Sequence, residues 1–184
     1  MIDLTVVGAS EYKQWLSKGS LTVSYGYHDS PFGTCLIALA KTKICHLSFV
    51  EKDDSKNWRV LHEQWPGAVY EKNGKKTASV VEKIFQGTYK SLSAVAKGTK
   101  FQEEVWRKLL EIPEGKTWSY EQLAFNVGRP KAIRASANAV AMNPIAFLIP
   151  CHRVIKKSGE IHKYGWGCQI KEKILDWEKK KIDT

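Results

Sequence analysis

The chain has 184 residues, 43% of them hydrophobic, with seven tryptophans; that is enough apolar material for one domain or two small packed ones and excludes a disordered chain. Four cysteines (35, 45, 151 and 168), no C-x-x-C pair, no secretory leader and no apolar run long enough to cross a bilayer predict a cytoplasmic, non-membrane protein with reduced thiols and no metal. The net charge of +10 is unevenly placed, because from Gln122 to Gly159 six residues are basic and none is acidic. Such a stretch marks either a solvated face or a surface for a polyanion, nucleic acid being the obvious one.

Residues 21–27, 34–40 and 44–50 alternate as strands do, and Ser30-Pro31-Phe32-Gly33 and Lys41-Thr42-Lys43 supply the turns between them. The expectation is a three-stranded antiparallel meander. Helical periodicity follows at 57–65 and 77–86, then a Ser/Ala/Gly-rich connector at 91–98. That connector sets the predicted domain boundary, giving an N-terminal α/β domain at 1–95 and a C-terminal domain at 96–184.

The second half is mostly helical. Thr99-Lys100-Phe101-Gln102 has the form of a capping box, opening a helix whose Phe101, Val105, Trp106 and Leu109 share one face. Ser119-Tyr120-Glu121-Gln122 is a second such box, and its helix ends near Val127, where Gly128-Arg129-Pro130 forces a turn. A third helix is predicted at 131–142, so the spacing is that of a helix-turn-helix. Ala132, Ala135, Ser136, Ala137, Ala139 and Ala141 leave this third helix nearly bare. It suits either tight packing against neighbours or close approach to a narrow groove, with Arg134 as the one long side chain available to enter a base stack.

The apolar run 145–149 leads into Pro150-Cys151-His152-Arg153-Val154. A thiol ionises more readily beside positive charge or a base, and His152, Arg153, Lys156 and Lys157 all lie close in sequence. Cys151 is therefore a candidate nucleophile; taken alone it reads equally well as a small buried hydrophobe.

Gly128-Arg129-Pro130-Lys131-Ala132-Ile133-Arg134, Asn143-Pro144, Ile149–Val154, Ser158-Gly159 and Tyr164-Gly165-Trp166-Gly167 resemble, in order and spacing, the O6-alkylguanine-DNA alkyltransferases, above all the type forming the C-terminal half of bacterial Ada proteins. Tyr25-Gly26-Tyr27-His28 and Ser30-Pro31-Phe32-Gly33 extend a weaker resemblance through the first half. The resemblance implies an α+β protein: a small ribonuclease H-like N-terminal domain with the three-stranded sheet, and a helical C-terminal domain with the helix-turn-helix. It implies a cofactor-free, monomeric repair protein that binds double-stranded DNA containing O6-alkylguanine in the minor groove, everts the base and keeps the alkyl group on Cys151.

Roles follow residue by residue from that resemblance. His152 would act on the thiol through a water and be oriented by Glu172, which is otherwise an ordinary surface residue of the predicted helix 169–181. Asn143 would tie the loop after the third helix to the cysteine. Tyr120 would serve guanine N3 and crowd a phosphate; Val154, Tyr164, Gly165 and Trp166 would complete the base pocket. Arg134 would fill the gap left by the base, and Glu121, Arg129, Ala132, Ala135 and Lys157 would lie against DNA.

Ala146 stands where animal members of the family have proline, and Trp166 where they have a pocket-wall glycine, so the resemblance implies a tighter pocket with poor acceptance of O6-benzyl substrates. Alkyltransferase-like proteins lack the cysteine, a helix-turn-helix repressor gives no reason for Pro150–Val154, and a papain-like hydrolase needs a distant histidine and an oxyanion hole. The resemblance extends to no metal-binding methyl-phosphate domain, so regulation of the Ada kind is not expected, although residues 1–20 could be the remnant of a fusion.

Overall fold

A computed structural model describes residues 2–50, 53–88, 91–161 and 163–182, and the chain separates into two compact units, Met1–Thr99 and Lys100–Thr184. The first contains β1 (Asp3–Val7), α1 (Ala9–Ser17), β2 (Thr22–Ser30), β3 (Gly33–Ala40), β4 (Lys43–Phe49), α2 (Ser55–Gln64), β5 (Val69–Lys72), α3 (Gly74–Phe85) and β6 (Ser93–Lys97). The predicted meander is present as β2-β3-β4, antiparallel throughout. The sheet nevertheless has six strands rather than three, in the order β1-β6-β4-β3-β2-β5.

All three added strands join in parallel: β1 on β6, β6 on β4 and β5 on β2. Parallel neighbours are joined through long crossovers and leave no hairpin signature in the sequence. The segment read as a connector is thus an inner strand, with Ala94, Val95 and Ala96 fully buried. Its small residues let covering layers approach closely, and the same composition resembles a linker. Residues 1–20 are likewise part of the fold, since β1 runs in register with β6 from Asp3↔Ser93 to Val7↔Lys97.

One face of this sheet packs Val23, Ala38, Ala40, Cys45 and Val95 against Tyr12 of α1 and Leu61 of α2. The other face receives α3. Gly26 permits that approach, because a Cβ there would lie 3.2 Å from the Gly74 Cα and collide with the Thr77 hydroxyl. Coverage on both faces explains why β3 and β4 are buried nearly end to end instead of alternating.

The second unit contains α4 (Lys100–Leu110), β7 (Trp118–Ser119), α5 (Tyr120–Asn126), α6 (Ile133–Ala141), a 3-10 turn at Cys151–Arg153, β8 (Val154–Ile155) and α7 (Cys168–Ile182). The expected apolar face of α4 buries Val105, Trp106 and Leu109, and the Trp106 indole donates to the Ala139 carbonyl at 2.9 Å, tying α4 to α6. The capping box at Ser119 forms: its hydroxyl accepts from the Gln122 N–H at 3.1 Å while Gln122 Oε1 accepts from the Ser119 N–H at 2.7 Å. Gly128 ends the α5 region with φ +78°, a conformation costly for side chains with a Cβ, and the Arg129 N–H closes onto the Ala124 carbonyl at 3.0 Å. Ser136, Ala139 and Val140 of α6 are buried while Arg134 and Ala135 are exposed. The small-residue helix thus packs on one side and offers the other to solvent.

Among the described residues, no helix is long and apolar enough to cross a membrane, and no group of three or more His, Cys, Asp or Glu is placed to hold a metal ion.

Candidate active site

The run 145–149 is buried as its composition requires, and Cys151 follows at 4% exposure in the short 3-10 turn. Asn143 holds this segment from below the α6 terminus. Its side-chain amide donates to the Ile149 carbonyl at 2.9 Å and to the Cys151 sulfur at 3.0 Å, and its oxygen accepts from the Ile145 N–H at 2.9 Å. One buried side chain thereby fixes both ends of the loop and gives the sulfur a donor that favours negative charge.

Cys151 borders a cavity of about 920 Å³, lined also by Tyr120, Arg134, Tyr164, Gly165 and Trp166. These are six of the residues the sequence assigned to the site, and they come from α5, α6, the turn at Cys151 and the segment before α7. Ala146, by contrast, is fully buried and does not line the cavity. Any narrowing of the wall therefore falls to Trp166, which meets Tyr164 edge-on at 5.1 Å.

His152 does not meet Glu172. Its Nε2 lies 2.8 Å from Oε1 of Glu178, and Glu172 is exposed. The reason is helical phase: the buried stripe of α7 is Ile170, Lys171, Ile174, Leu175 and Glu178, and Glu172 lies off it. A glutamate four residues after Ile174, on a core-facing stripe, was the available signal. Glu178 also accepts from Arg153, with Nη2 at 2.7 Å and Nε at 3.1 Å, and from the Gly115 N–H at 3.1 Å. Arg153 in turn donates to the Ile112 carbonyl at 2.6 Å.

The carboxylate can only accept, so Nε2 carries the imidazole proton and Nδ1 presents a lone pair. That Nδ1 is buried with no hydrogen-bond partner among the described residues. Burial lowers the His152 pKa, against hydrogen bonding and charge from Glu178 that raise it, so the ring is neutral at neutral pH and able to accept a proton.

The Cys151 thiol is pushed up by burial and pulled down by the Asn143 hydrogen bond and the charge of Lys171. The Tyr164 hydroxyl opposes the rise as well, although the two do not meet in hydrogen-bond geometry. The nearby cations expected to act on the sulfur are engaged elsewhere: Arg153 on Glu178, Lys156 on Glu160 at 2.8 Å, and Lys157 on Glu121 at 3.0 Å. The charge that reaches the sulfur comes from Lys171, distant in sequence and unsuspected.

The remaining predicted DNA contacts lie outside the cavity. Glu121 and Lys157 form an exposed ion pair; Arg129 pairs with Glu104 at 3.2 Å and covers the Phe101 ring; Ala132 is half-buried and Ala135 exposed. Val154, expected in the base pocket, is instead fully buried and does not line the cavity, and its carbonyl accepts from the Lys171 ammonium at 2.6 Å.

Two domain families match the chain: the 6-O-methylguanine DNA methyltransferase ribonuclease-like domain over residues 23–93, and the DNA binding domain of the same proteins over residues 100–180. A methylated-DNA–protein-cysteine methyltransferase of Methanosarcina barkeri is 36% identical over 160 residues, covering 86% of this chain and 98% of that protein. The regulatory protein Ada of Salmonella typhimurium is 36% identical over 175 residues, 92% of this chain but 49% of that protein, so the chain spans about half the length of this relative. The crystal structure of Mycobacterium tuberculosis OGT in complex with DNA superposes with a TM-score of 0.68 at 31% identity, covering 87% of this chain and 94% of that one. With both halves matched in order, and with nearly the whole of a relative more than 30% identical covered, the chain belongs to the 6-O-methylguanine DNA methyltransferase family.

Proposed function

We propose that this protein repairs double-stranded DNA by moving the alkyl group of O6-methylguanine, and of O4-methylthymine, irreversibly onto Cys151. The observation that carries the reading is a cysteine at a cavity wall, its sulfur hydrogen-bonded by Asn143, adjacent in sequence to a neutral histidine held by a buried carboxylate. The thiolate attacks the methyl carbon, a C–S bond forms as the C–O6 bond breaks, and the departing guanine takes the electron pair and then a proton. His152 Nδ1 receives the thiol proton through a water, and Glu178 stabilises the imidazolium that results.

The target oxygen is inaccessible inside a duplex, so the base must be everted, at a cost of a few kcal/mol. α5, the Gly128 turn and α6 act as a helix-turn-helix whose sparse second helix enters the minor groove, with Arg134 occupying the vacated stack. Tyr120, Tyr164, Gly165 and Trp166 receive the base; Glu121, Arg129, Ala132, Ala135 and Lys157 lie along the DNA. The protein works as a cytoplasmic monomer, the C-terminal unit binding DNA and accepting the alkyl group.

Incubation with a duplex containing O6-methylguanine tests the reading directly. Intact mass is expected to rise by one methyl group, once, mapped to Cys151, and Cys151→Ser is expected to gain nothing. Methylation at another residue, or repeated turnover without protein modification, would refute it. Trp166 makes a second expectation: the wild type consumes O6-benzylguanine slowly, and Trp166→Gly speeds that reaction about tenfold or more, because removing a large wall side chain relieves a steric exclusion worth more than 1 kcal/mol. Equal rates in the two proteins would show that Trp166 does not exclude the benzyl group.

A further inference from the structure

We propose that Lys171 is the counterion of the Cys151 thiolate, a buried ammonium that acts on alkyl transfer through the sulfur without touching substrate. The inference rests on the reading of Cys151 as nucleophile and adds a residue to that site.

Charge accounting within the second unit leads to it. Its buried ionisable groups are Cys151, His152, Arg153, Lys171 and Glu178. Arg153 and Glu178 neutralise each other, and His152 is neutral beside them. Lys171 is left over, at 1% exposure. Its ammonium donates to the Val154 carbonyl at 2.6 Å and lies 6.0 Å from the centre of the Tyr164 ring, while no carboxylate among the described residues pairs with it. A carbonyl and a ring face soften the burial of a cation but leave its charge uncancelled.

The groups that can cancel it are the two thiols with which it interacts, Cys151 and Cys168, both of which line the cavity. Cys168 is exposed to solvent, whereas Cys151 is buried. Burial pushes the thiol up and the ammonium down, and each opposes the shift of the other. The pair is thus arranged so that an ionised sulfur and a protonated lysine support one another in a setting where either alone is unfavourable. Other ionisable groups around the pair are Tyr120, Tyr164, His152 and Cys168, with Arg153 and Glu178 behind His152, and Arg134, Lys156 and Lys163 line the same cavity as Cys151.

The test reads the thiolate and needs no DNA. The rate of carbamidomethylation of Cys151 by iodoacetamide is followed against pH, with peptide mass mapping to separate it from the other cysteines. Lys171→Met is expected to raise the pH midpoint by at least about one unit, and so to slow the reaction about tenfold at neutral pH. Lys171→Arg, which keeps the charge, is expected to stay near the wild type. An unchanged midpoint in folded Lys171→Met would overturn the proposal and reduce Lys171 to an anchor for the Val154 carbonyl.

Should Lys171→Met fail to fold, the wild type supplies the same answer, because coupling between two titrating sites is reciprocal. NMR of Cys168→Ser protein labelled at the lysine Cε, before and after S-methylation of Cys151 by iodomethane, is expected to show the Lys171 pKa fall when the sulfur becomes a neutral thioether; no change overturns the proposal. Failure of methyl transfer from DNA alongside a shifted midpoint would instead refute the repair function and leave the ion pair standing.

Discussion

Replacing Glu178 by alanine is expected to cost about 3–5 kcal/mol of stability, measured by urea unfolding of the full chain, because it leaves the buried Arg153 guanidinium without its counterion. That is a large share of the stability of an ordinary domain. The same substitution releases His152 from its only described hydrogen bond, at Nε2. In protein that remains folded, methyl transfer is expected to slow by about 10² or more, the usual contribution of a positioned base. Glu172→Ala serves as the control: an exposed residue off the buried stripe of α7 is expected to change stability by less than about 0.5 kcal/mol. If Glu172→Ala abolished transfer and Glu178→Ala did not, the assignment of the relay to Glu178 would fail.

The same carboxylate governs acid sensitivity. Burial alone would raise its pKa, but hydrogen bonds from His152 and Arg153, together with their charges, bring it from 4.5 down to about 2. A carboxyl depressed in the folded state contributes stability that is complete above the unfolded value and drains away as pH falls through the folded one. The window therefore runs from about pH 4.5 down to 2, and the loss across it is roughly 3 kcal/mol. His152 adds to it in the same direction and begins earlier: its lowered pKa means the unfolded chain takes up a proton below 6.5 that the folded chain resists. Stability measured against pH is expected to decline from about 6.5 and steepen below 4.5, and Glu178→Ala is expected to lose the steeper limb.

The second large effect concerns Arg134, which is exposed at the cavity edge on the sparse side of α6. If it fills the space of an everted base, Arg134→Ala is expected to slow repair of a duplex by about 10²-fold, since stabilising the everted state offsets a cost of a few kcal/mol. Reaction with free O6-methylguanine base, where nothing is everted, is expected to be unchanged. Single-turnover methyl transfer on the two substrates makes the comparison. Equal slowing on both would make Arg134 part of the pocket wall, and a loss confined to affinity, with a shallower salt dependence, would make it a phosphate contact.

Local patterns carried much of the architecture into the sequence. Alternation and turn residues located β2, β3 and β4, and the Ser119 box and Gly128 located α5 and its end. Features of that kind depend on residues a few positions apart, and they are legible because hydrogen bonding and side-chain periodicity act over the same range. The three parallel strands were hidden for the opposite reason. Their partners lie as far apart as Asp3 and Ser93, and a crossover connection marks neither strand. Ser93–Lys97 was the hardest of these, because an inner strand under close-packed layers is built from the same small residues as a linker.

At the site, chemistry and partnership were determined by different things. The sequence by itself determined that a cysteine with an adjacent histidine and arginine follows an apolar run and that Asn143 stands ahead of it, and the resemblance joined Tyr120, Arg134 and Tyr164–Trp166 to that cysteine. Only the tertiary structure decided which charges survive near the sulfur. Arg153, Lys156 and Lys157, adjacent in the chain, are each cancelled by a carboxylate, whereas Lys171 and Glu178 enter from the buried stripe of α7. Electrostatic effect depends on distance through space and on burial, and neither follows from proximity along a chain that has yet to fold.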